Sequence, residues 1–371
     1  MARMVEVHAL GLFLLLASTT PAACTLTQEP GGKPDYACLR ETYSRPSAQW
    51  PAPEVDGDVA WQELGPLPDR APSPHGQPFS EARAALGEQL FFDPKLSRSG
   101  QIACASCHEP DLAFADGRKV SFGHDRQAGR RNSPSVVMSG FTQHPFWDGR
   151  AQGLEGQALM PVVDPLEMAF SIEELLVRLN ADSTYRDRFA TVFGETTIQA
   201  DMLRQALANY QRTLVRFARN TRFERFLRSQ HDALDDRQLH GLHLFRTKAR
   251  CMNCHHGATL SDDQFHNAGM AYYGRKYEDL GRYEVTGKVE DVGRFRTPSL
   301  RLVSKTGPWL HNGLFPDLMG VLNFYNVGMP RPKPTAAQRD DPLFPQTSPR
   351  FKALNLSRDE LSALRSFLDA L

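Results

Sequence analysis

Two copies of the pattern Cys-x-x-Cys-His constrain this chain more than any other feature of its sequence. The first begins at Cys104 and the second at Cys251. Two thiols at this spacing can each form a thioether bond to one vinyl group of the same haem, and the histidine that follows can bind the iron. We therefore predict two covalently bound haems c, held by Cys104, Cys107, His108, Cys251, Cys254 and His255.

Two other kinds of site use cysteines at this spacing. A zinc site would have to join the two motifs, although they lie in two similar segments rather than in one small module. A redox dithiol is typical of a helix start in an α/β protein, and it would leave His108 and His255 without a role. Haem attachment uses every residue of both patterns, so we prefer it to either alternative.

A similar helical segment precedes each motif. The order Gly-x-x-Leu-Phe starts at Gly87 in one segment and at Gly241 in the other, which indicates an internal duplication. Apolar residues recur at helical spacing in residues 80–92, 171–193, 197–217, 234–245 and 357–371, whereas strand patterns are sparse. The sequence therefore predicts a mainly α fold of two cytochrome c-like domains with long loops, each domain with one covalently bound haem c.

Four segments follow from this pattern. We predict a signal peptide at residues 1–23, a proline-rich arm at 24–79, an N-terminal haem c domain at 80–225 and a C-terminal one at 226–371. The C-terminal helix is expected to pack back on the body. Because the arm shows no helical or strand period, we expect an extended segment that lies over the body, or else an ordered lead-in to it.

The N-terminus carries an apolar run at residues 9–18 that is followed by small residues. This run is too short to span a bilayer and is typical of a signal peptide, which predicts a periplasmic protein with no transmembrane span after cleavage. A lipid anchor at Cys24 and a disulfide between Cys24 and Cys38 both stay open. Lys+Arg and Asp+Glu each total 43, and this balance does not favour nucleic acid as a partner.

From Leu86 to Leu371 the sequence resembles the bacterial dihaem cytochrome c peroxidase superfamily, which includes a MauG-like branch. Besides the two haem motifs, the matching segments are LFFDP at 90–94, FADGR at 114–118, RNSP at 131–134, FWDGR at 146–150, RTPSLR at 296–301 and HNG at 311–313. They occur in the order of the family. The resemblance implies an enzyme that reacts with H₂O₂.

The resemblance assigns the peroxide reaction to the first haem, with His108 as its proximal ligand. Gln157 and Glu167 match the distal residues, and Glu167 would carry a proton between the two peroxide oxygens. The alternative role for Glu167 is a helix-start carboxylate before the helix that begins at Ser171. Pro161 matches a residue that narrows the pocket. His124 matches a sixth ligand that blocks this iron in some members, and its alternative is a loop histidine in solvent.

The resemblance also assigns residues between the haems. Trp147 matches a tryptophan that relays electrons, and the alternative is a purely structural indole. Asn132 and the backbone carbonyls of Thr306 and Pro308 match a Ca²⁺ site, because oxygen ligands suit this hard cation.

For the second haem, the resemblance places Tyr325 at the sixth ligand position. MauG-like members have tyrosine there, whereas the conventional peroxidases have methionine. A phenolate is a harder, anionic donor than a thioether and lowers the reduction potential of the iron. Met319 and Met329 are the competing ligands, and each would require a helix shift of more than one turn.

Three functions follow. The first is MauG-like oxidation, in which H₂O₂ gives a high-valent state shared by both haems through Trp147, and this state oxidises an external donor or a residue of a partner protein. The second is a conventional dihaem cytochrome c peroxidase that receives electrons from a small cytochrome or cupredoxin. The third is a non-enzymatic carrier with two six-coordinate haems.

Overall fold

Helices and long loops make up the chain, in a computed structural model that describes Leu26 and residues 34–371. The helices of that part are α1 Tyr36–Tyr43, α2 Glu81–Phe92, α3 Gly153–Gln157, α4 Met160–Val163, α5 Ile172–Ala181, α6 Ser183–Phe193, α7 Ala200–Thr213, α8 Arg222–Leu227, α9 Asp236–Arg246, α10 Tyr283–Thr286, α11 Leu318–Asn326 and α12 Arg358–Leu368. Among the described residues, the strands β1 Phe265–His266 and β2 Phe295–Arg296 form one antiparallel pair. The predicted mainly α fold is confirmed.

Two predictions for the N-terminus concern residues outside the described part of the chain. They are the signal peptide at residues 1–23 and the lipid anchor at Cys24. Cys38 is buried in α1 and disulfide-bonded, but Cys24, its predicted partner, is not among the described residues. None of the helices in the described part is long and apolar enough to cross a membrane.

Capping residues set the ends of the predicted helices. Ser80 accepts a hydrogen bond from the backbone of Arg83 at the start of α2, and Ser357 forms a capping box with Glu360 at the start of α12. Our prediction of a single helix at residues 171–193 is wrong. Asp182 has extended backbone angles there and caps α6 with its own side chain, so the segment divides into α5 and α6.

Two equivalent helix pairs confirm the duplication that the glycine pattern indicates. In the first pair α2 crosses α7, and in the second α9 crosses α12. A Cβ atom on Gly87 would lie 1.9 Å from the carbonyl oxygen of Ala206, and one on Gly241 would lie 2.1 Å from that of Ala363. Only glycine lets the paired helices approach this closely, since any side chain would meet the backbone of the partner helix.

Two hydrophobic clusters form the core. The first gathers residues of α2, α5, α6 and α7, and the second gathers residues of α1, α8, α9, α11 and α12. Along the chain the change from one cluster to the other falls between Ala218 and Phe223, a few residues before the boundary that we placed after residue 225. The four-segment division itself remains a prediction.

The arm is more structured than its prolines indicate. Asp35 caps α1, which places Leu39 and Tyr43 in the second cluster, and Trp50 and Leu64 follow them there. The prediction of a wholly extended arm is therefore wrong for Tyr36–Tyr43. Most of the prolines lie after this helix. Between them, Trp50 and Leu64 are buried in the second cluster, whereas Leu67 is buried in the first.

A fully buried ion pair joins α8, the segment around Arg301 and the arm. Glu224 and Arg301 have no exposed side-chain surface, and their charged atoms lie 2.8 Å apart. The carboxylate also accepts hydrogen bonds from the backbone of Leu67, and Arg301 donates to the carbonyl oxygens of Ala258 and Gly65. One pair thus fixes three distant segments of the chain.

We expect Glu224→Ala to lower the free energy of unfolding by about 3–5 kcal/mol, because it leaves the charge of Arg301 buried without a partner. Urea unfolding followed by helical circular dichroism measures this change. Asp201→Ala is the control, since it breaks an exposed ion pair with Arg204 and is expected to leave the midpoint nearly unchanged. Equal midpoints for Glu224→Ala and the unaltered protein would contradict this role.

Candidate functional site

Residues of both Cys-x-x-Cys-His motifs line one cavity of about 630 Å³. Its lining is mainly apolar and comes from both halves of the chain. The four cysteines of the motifs line it with free thiols. A cysteine can form a thioether bond to a haem only if its thiol faces the space that the haem occupies. The four thiols face one apolar space, so these residues fit the haems that the motifs predict.

The orientation of the two motif histidines supports the same fit. Nδ1 of His108 lies 3.1 Å from the carbonyl oxygen of Phe114, and Nδ1 of His255 lies 3.0 Å from that of Leu260. This hydrogen bond places the proton on Nδ1 and leaves Nε2 free to bind iron. Burial lowers the pKa of both imidazoles, which favours the neutral form that binds metals.

We expect the double change Cys104→Ala with Cys107→Ala to halve the covalently bound haem, because only the second motif can then form thioethers. Haem staining after denaturing electrophoresis, calibrated by the pyridine haemochrome spectrum, measures the ratio. Ala105→Ser, inside the same motif, is the control and should keep full staining. Staining that survives alanine at all four motif cysteines would refute covalent attachment.

The predicted distal residues are part of the wall of this cavity. Gln157 at the end of α3, Pro161 in α4 and Glu167 all line the space that His108 lines. The pKa of Glu167 is raised to about 7, chiefly by burial and also by the nearby carboxylate of Asp164, while Arg150 opposes the shift. A carboxyl group with this pKa can both donate and accept a proton near neutral pH.

The loop with His124 packs directly against the backbone of Glu167. The backbone N–H of His124 donates to the carbonyl oxygen of Glu167 at 2.8 Å, and a Cβ on Gly123 would lie 2.1 Å from the carbonyl oxygen of Leu166. The imidazole itself is not among the side chains that line the cavity; its Nε2 lies 3.6 Å from Asp125. Ligation of the first iron by His124 stays a prediction.

Trp147 lines the same cavity and is held rigidly. Its side chain is 9% exposed, and its Nε1–H donates to the carbonyl oxygen of Asn132 at 2.9 Å. The ring meets that of His311 edge to face, with 6.5 Å between centroids, and His311 in turn stacks on Phe295. The indole is therefore fixed among residues of both halves.

An ion-pair network around Arg131 holds the Trp147 loop. The sequence did not predict this network. Arg131 pairs with Asp148, next to Trp147, and with Asp279 at 2.7 Å. The opposite charges raise the pKa of Arg131 and lower that of Asp279, against the effect of burial. Asp279 lies in a loop of the other half without any local motif, so only the folded chain reveals the pair.

The predicted Ca²⁺ ligands come from both halves of the chain. Asn132, Thr306 and Pro308 all line the cavity, and Asn132 is 6% exposed. The backbone N–H of Asn132 donates to the carbonyl oxygen of His311 at 2.7 Å, which ties the first half to the segment that carries the other two residues. The arrangement offers oxygen ligands from both halves, and the ion itself stays a prediction.

Near the second motif, Tyr325 of α11 lines the cavity and is close enough to Cys251 and Cys254 to interact with their thiols. Its ring meets Phe351 edge to face, with 5.7 Å between centroids. Neither Met319 nor Met329 is among the lining residues. Of the three candidate ligands, the tyrosine is the one that faces this space.

The arm surrounds the second motif, a role that the sequence did not indicate. The backbone N–H of Asp56 donates to Oδ1 of Asn253, inside the motif, at 2.8 Å. The carboxylate of Asp56 accepts from Arg250 at 2.6 Å, and the carbonyl oxygen of Gln62 accepts from the backbone of Gly257 at 3.0 Å. These contacts fix the loop that carries His255 from both sides.

One further set of metal-binding side-chain types occurs among the described residues: Cys254, Asp262 and His266. His266 and Asp262 share a hydrogen bond of 2.8 Å. Since Cys254 is one of the cysteines predicted to attach a haem, we assign no separate metal site to this set.

Comparison with known proteins places these features in a family. The sequence profile described as di-haem cytochrome c peroxidase matches residues 81–232. The methylamine utilization protein MauG of Methylophilus methylotrophus is 35% identical over 81% of this chain and 87% of its own length. The cytochrome-c peroxidase IdrP1 of Pseudomonas sp. strain SCT is 34% identical over 71% of this chain and 77% of its own. The crystal structure of a MauG-like protein associated with microbial copper homeostasis is 29% identical, with a TM-score of 0.72, over 86% of this chain and 95% of that one.

Proposed function

Because this chain belongs to the di-haem cytochrome c peroxidase family, and is therefore a haem peroxidase-type oxidoreductase with two haems c, we propose that it performs MauG-like oxidation with H₂O₂. In this proposal the protein is exported to the periplasm and oxidises an external donor, such as a residue of a partner protein. The observation that carries the choice is Tyr325, which faces the cavity beside the second motif while Met319 and Met329 do not.

The bound haems supply the redox chemistry, by accepting two oxidising equivalents from H₂O₂ and returning them to the donor. At the first site, the carboxyl group of Glu167 takes the proton from the inner peroxide oxygen and delivers it to the outer one, which leaves as water. Gln157 orients the peroxide by hydrogen bonding, and Pro161 limits the space for water beside it.

The second site sets the reduction potential through Tyr325. An anionic oxygen ligand stabilises ferric iron more than a thioether does, so the protein can react in its fully oxidised form. Trp147 connects the two sites. Its indole is fixed by Asn132 and His311, so it can pass an electron with little rearrangement. The proposed Ca²⁺, bound by Asn132, Thr306 and Pro308, would hold the two halves together around it.

A conventional cytochrome c peroxidase, fed by a small cytochrome or cupredoxin, is the second candidate. The contact of the His124 backbone with Glu167 favours it, since this contact places the His124 loop beside the residue proposed to carry the proton. The two candidates differ in the oxidation state that reacts.

Stopped-flow mixing of the diferric holoprotein with H₂O₂ tests the proposal. We expect an immediate change in the haem spectrum without prior reduction, followed by recovery when a donor is added. A diferric protein that becomes reactive only after half-reduction would favour the conventional peroxidase instead. If neither form reacts with H₂O₂, both proposals fail.

A further inference from the structure

A buried tyrosine and histidine lie outside the cavity and play no part in the chemistry described above. Tyr43 of the arm is 1% exposed, and its hydroxyl oxygen lies 2.9 Å from Nδ1 of His243. His243 is on α9, the helix that leads to the second haem motif. We propose that Tyr43 is a redox-active tyrosine, which gives an electron to the oxidised haems while its proton passes to His243. This inference rests on the proposed function, which supplies the oxidant.

The surroundings decide which atom donates the hydrogen bond. The guanidinium of Arg246 lies near enough to influence the phenol and, having only N–H groups, cannot accept its proton. The hydroxyl proton is therefore directed to Nδ1 of His243. Burial lowers the pKa of His243 to about 4, so the ring is neutral near pH 7 and its Nδ1 can accept a proton.

Charge explains why an imidazole partner matters. Removing an electron from a buried phenol creates a cation, and a charge without a partner is costly in an apolar interior. Burial raises the pKa of Tyr43 to about 12, so the phenol does not ionise beforehand. If the proton moves to His243 as the electron leaves, the ring becomes a neutral radical. The new charge on His243 then lies near the guanidinium of Arg246, which opposes it and which is itself paired with Glu63.

Packed side chains connect this pair to the second haem motif. The ring of Trp50 lies edge to face with that of Tyr43, at 5.2 Å between centroids, and the guanidinium of Arg246 lies 5.2 Å from the Trp50 ring. Arg246 also contacts the sulfur of Met252, between the two cysteines of the motif, at 3.6 Å. Phe245, beside Arg246, lines the cavity. An electron can therefore pass through contacting groups rather than through solvent.

One electron and one proton leave Tyr43 in the proposed step. Tyr43 loses one electron to the haem pair that H₂O₂ has oxidised, and its O–H bond breaks with the proton going to Nδ1 of His243. The products are a neutral tyrosyl radical, a protonated His243 and a haem pair reduced by one equivalent. When no external donor is bound, the pair would thus store one oxidising equivalent away from the haem pocket, and a later reductant would return the electron.

Freeze-quench electron paramagnetic resonance on the holoprotein tests this inference. The sample is the diferric protein mixed with H₂O₂ in the absence of a donor. We expect a tyrosyl radical in the unaltered protein and its loss in Tyr43→Phe. Tyr185→Phe is the matched control, because Tyr185 is also buried but donates its hydrogen bond to the carboxylate of Asp93, and it should keep the signal. His243→Gln, which removes the base, should also abolish the radical.

Each variant must retain both haems by absorption and the unfolding midpoint of the unaltered protein. A tyrosyl signal of equal size in Tyr43→Phe would overturn the inference, as would the absence of any tyrosyl radical in a protein whose haems do react with H₂O₂. If the haems do not react, the proposed function fails and the inference is tested without peroxide. A ruthenium photo-oxidant with a sacrificial quencher then oxidises the haems, and a Tyr43-dependent radical supports the inference while its absence refutes it.

Discussion

Replacing Glu167 with glutamine is expected to slow the reaction of the diferric protein with H₂O₂ by about 10²–10⁴-fold, the usual contribution of a general acid–base group. Glutamine keeps the shape of the side chain but cannot carry a proton between the two peroxide oxygens. Both haems should stay bound, because Glu167 is not a haem ligand. Stopped-flow rates at a fixed H₂O₂ concentration measure the effect, and the absorption spectrum checks the haem content.

Glu173→Gln is the matched control for this prediction. Glu173 lies in the first turn of α5 and is a true helix-start carboxylate, the alternative role for Glu167. Its removal should leave the peroxide rate unchanged, whereas its effect on stability should resemble that of any carboxylate near a helix N-terminus. An unchanged rate in Glu167→Gln would exclude Glu167 as the proton carrier.

Replacing Tyr325 with methionine is expected to change which oxidation state reacts. A thioether ligand would raise the reduction potential of the second haem above its value with a phenolate. The variant should then lose its reaction with H₂O₂ in the diferric form and regain it after reduction by one electron. Redox titration followed by absorption measures the potential, and stopped-flow mixing with diferric and half-reduced protein measures the switch.

Met319→Leu and Met329→Leu are the controls for the competing ligands. Neither side chain lines the cavity, so both variants should keep the spectrum and potential of the unaltered protein. A methionine–iron absorption band in the unaltered protein that disappears in one of them would identify that methionine as the ligand. The conventional peroxidase would then replace the MauG-like proposal.

Features that depend on residues close to one another in the sequence could be predicted from it. The haem motifs place two thiols and an imidazole within a few residues of one another, and the caps at Ser80 and Ser357 join a side chain to a backbone group of the next turn. The glycines of α2 and α9 indicated the duplication because each close helix crossing needs the same small residue. The family resemblance added the distal residues and Tyr325, which the fold brings to one cavity.

By itself, then, the sequence was enough to predict two haems c, the mainly α fold and the family. The tertiary structure alone decided how distant segments meet. Arg131 pairs with Asp279 although 148 residues separate them, and Tyr43 reaches His243 across 200 residues. Such contacts leave no periodic or local pattern, because they arise when chain topology brings two buried polar groups together and each then satisfies the other. For the same reason, the proline-rich arm gave no sign that it packs around the second haem motif.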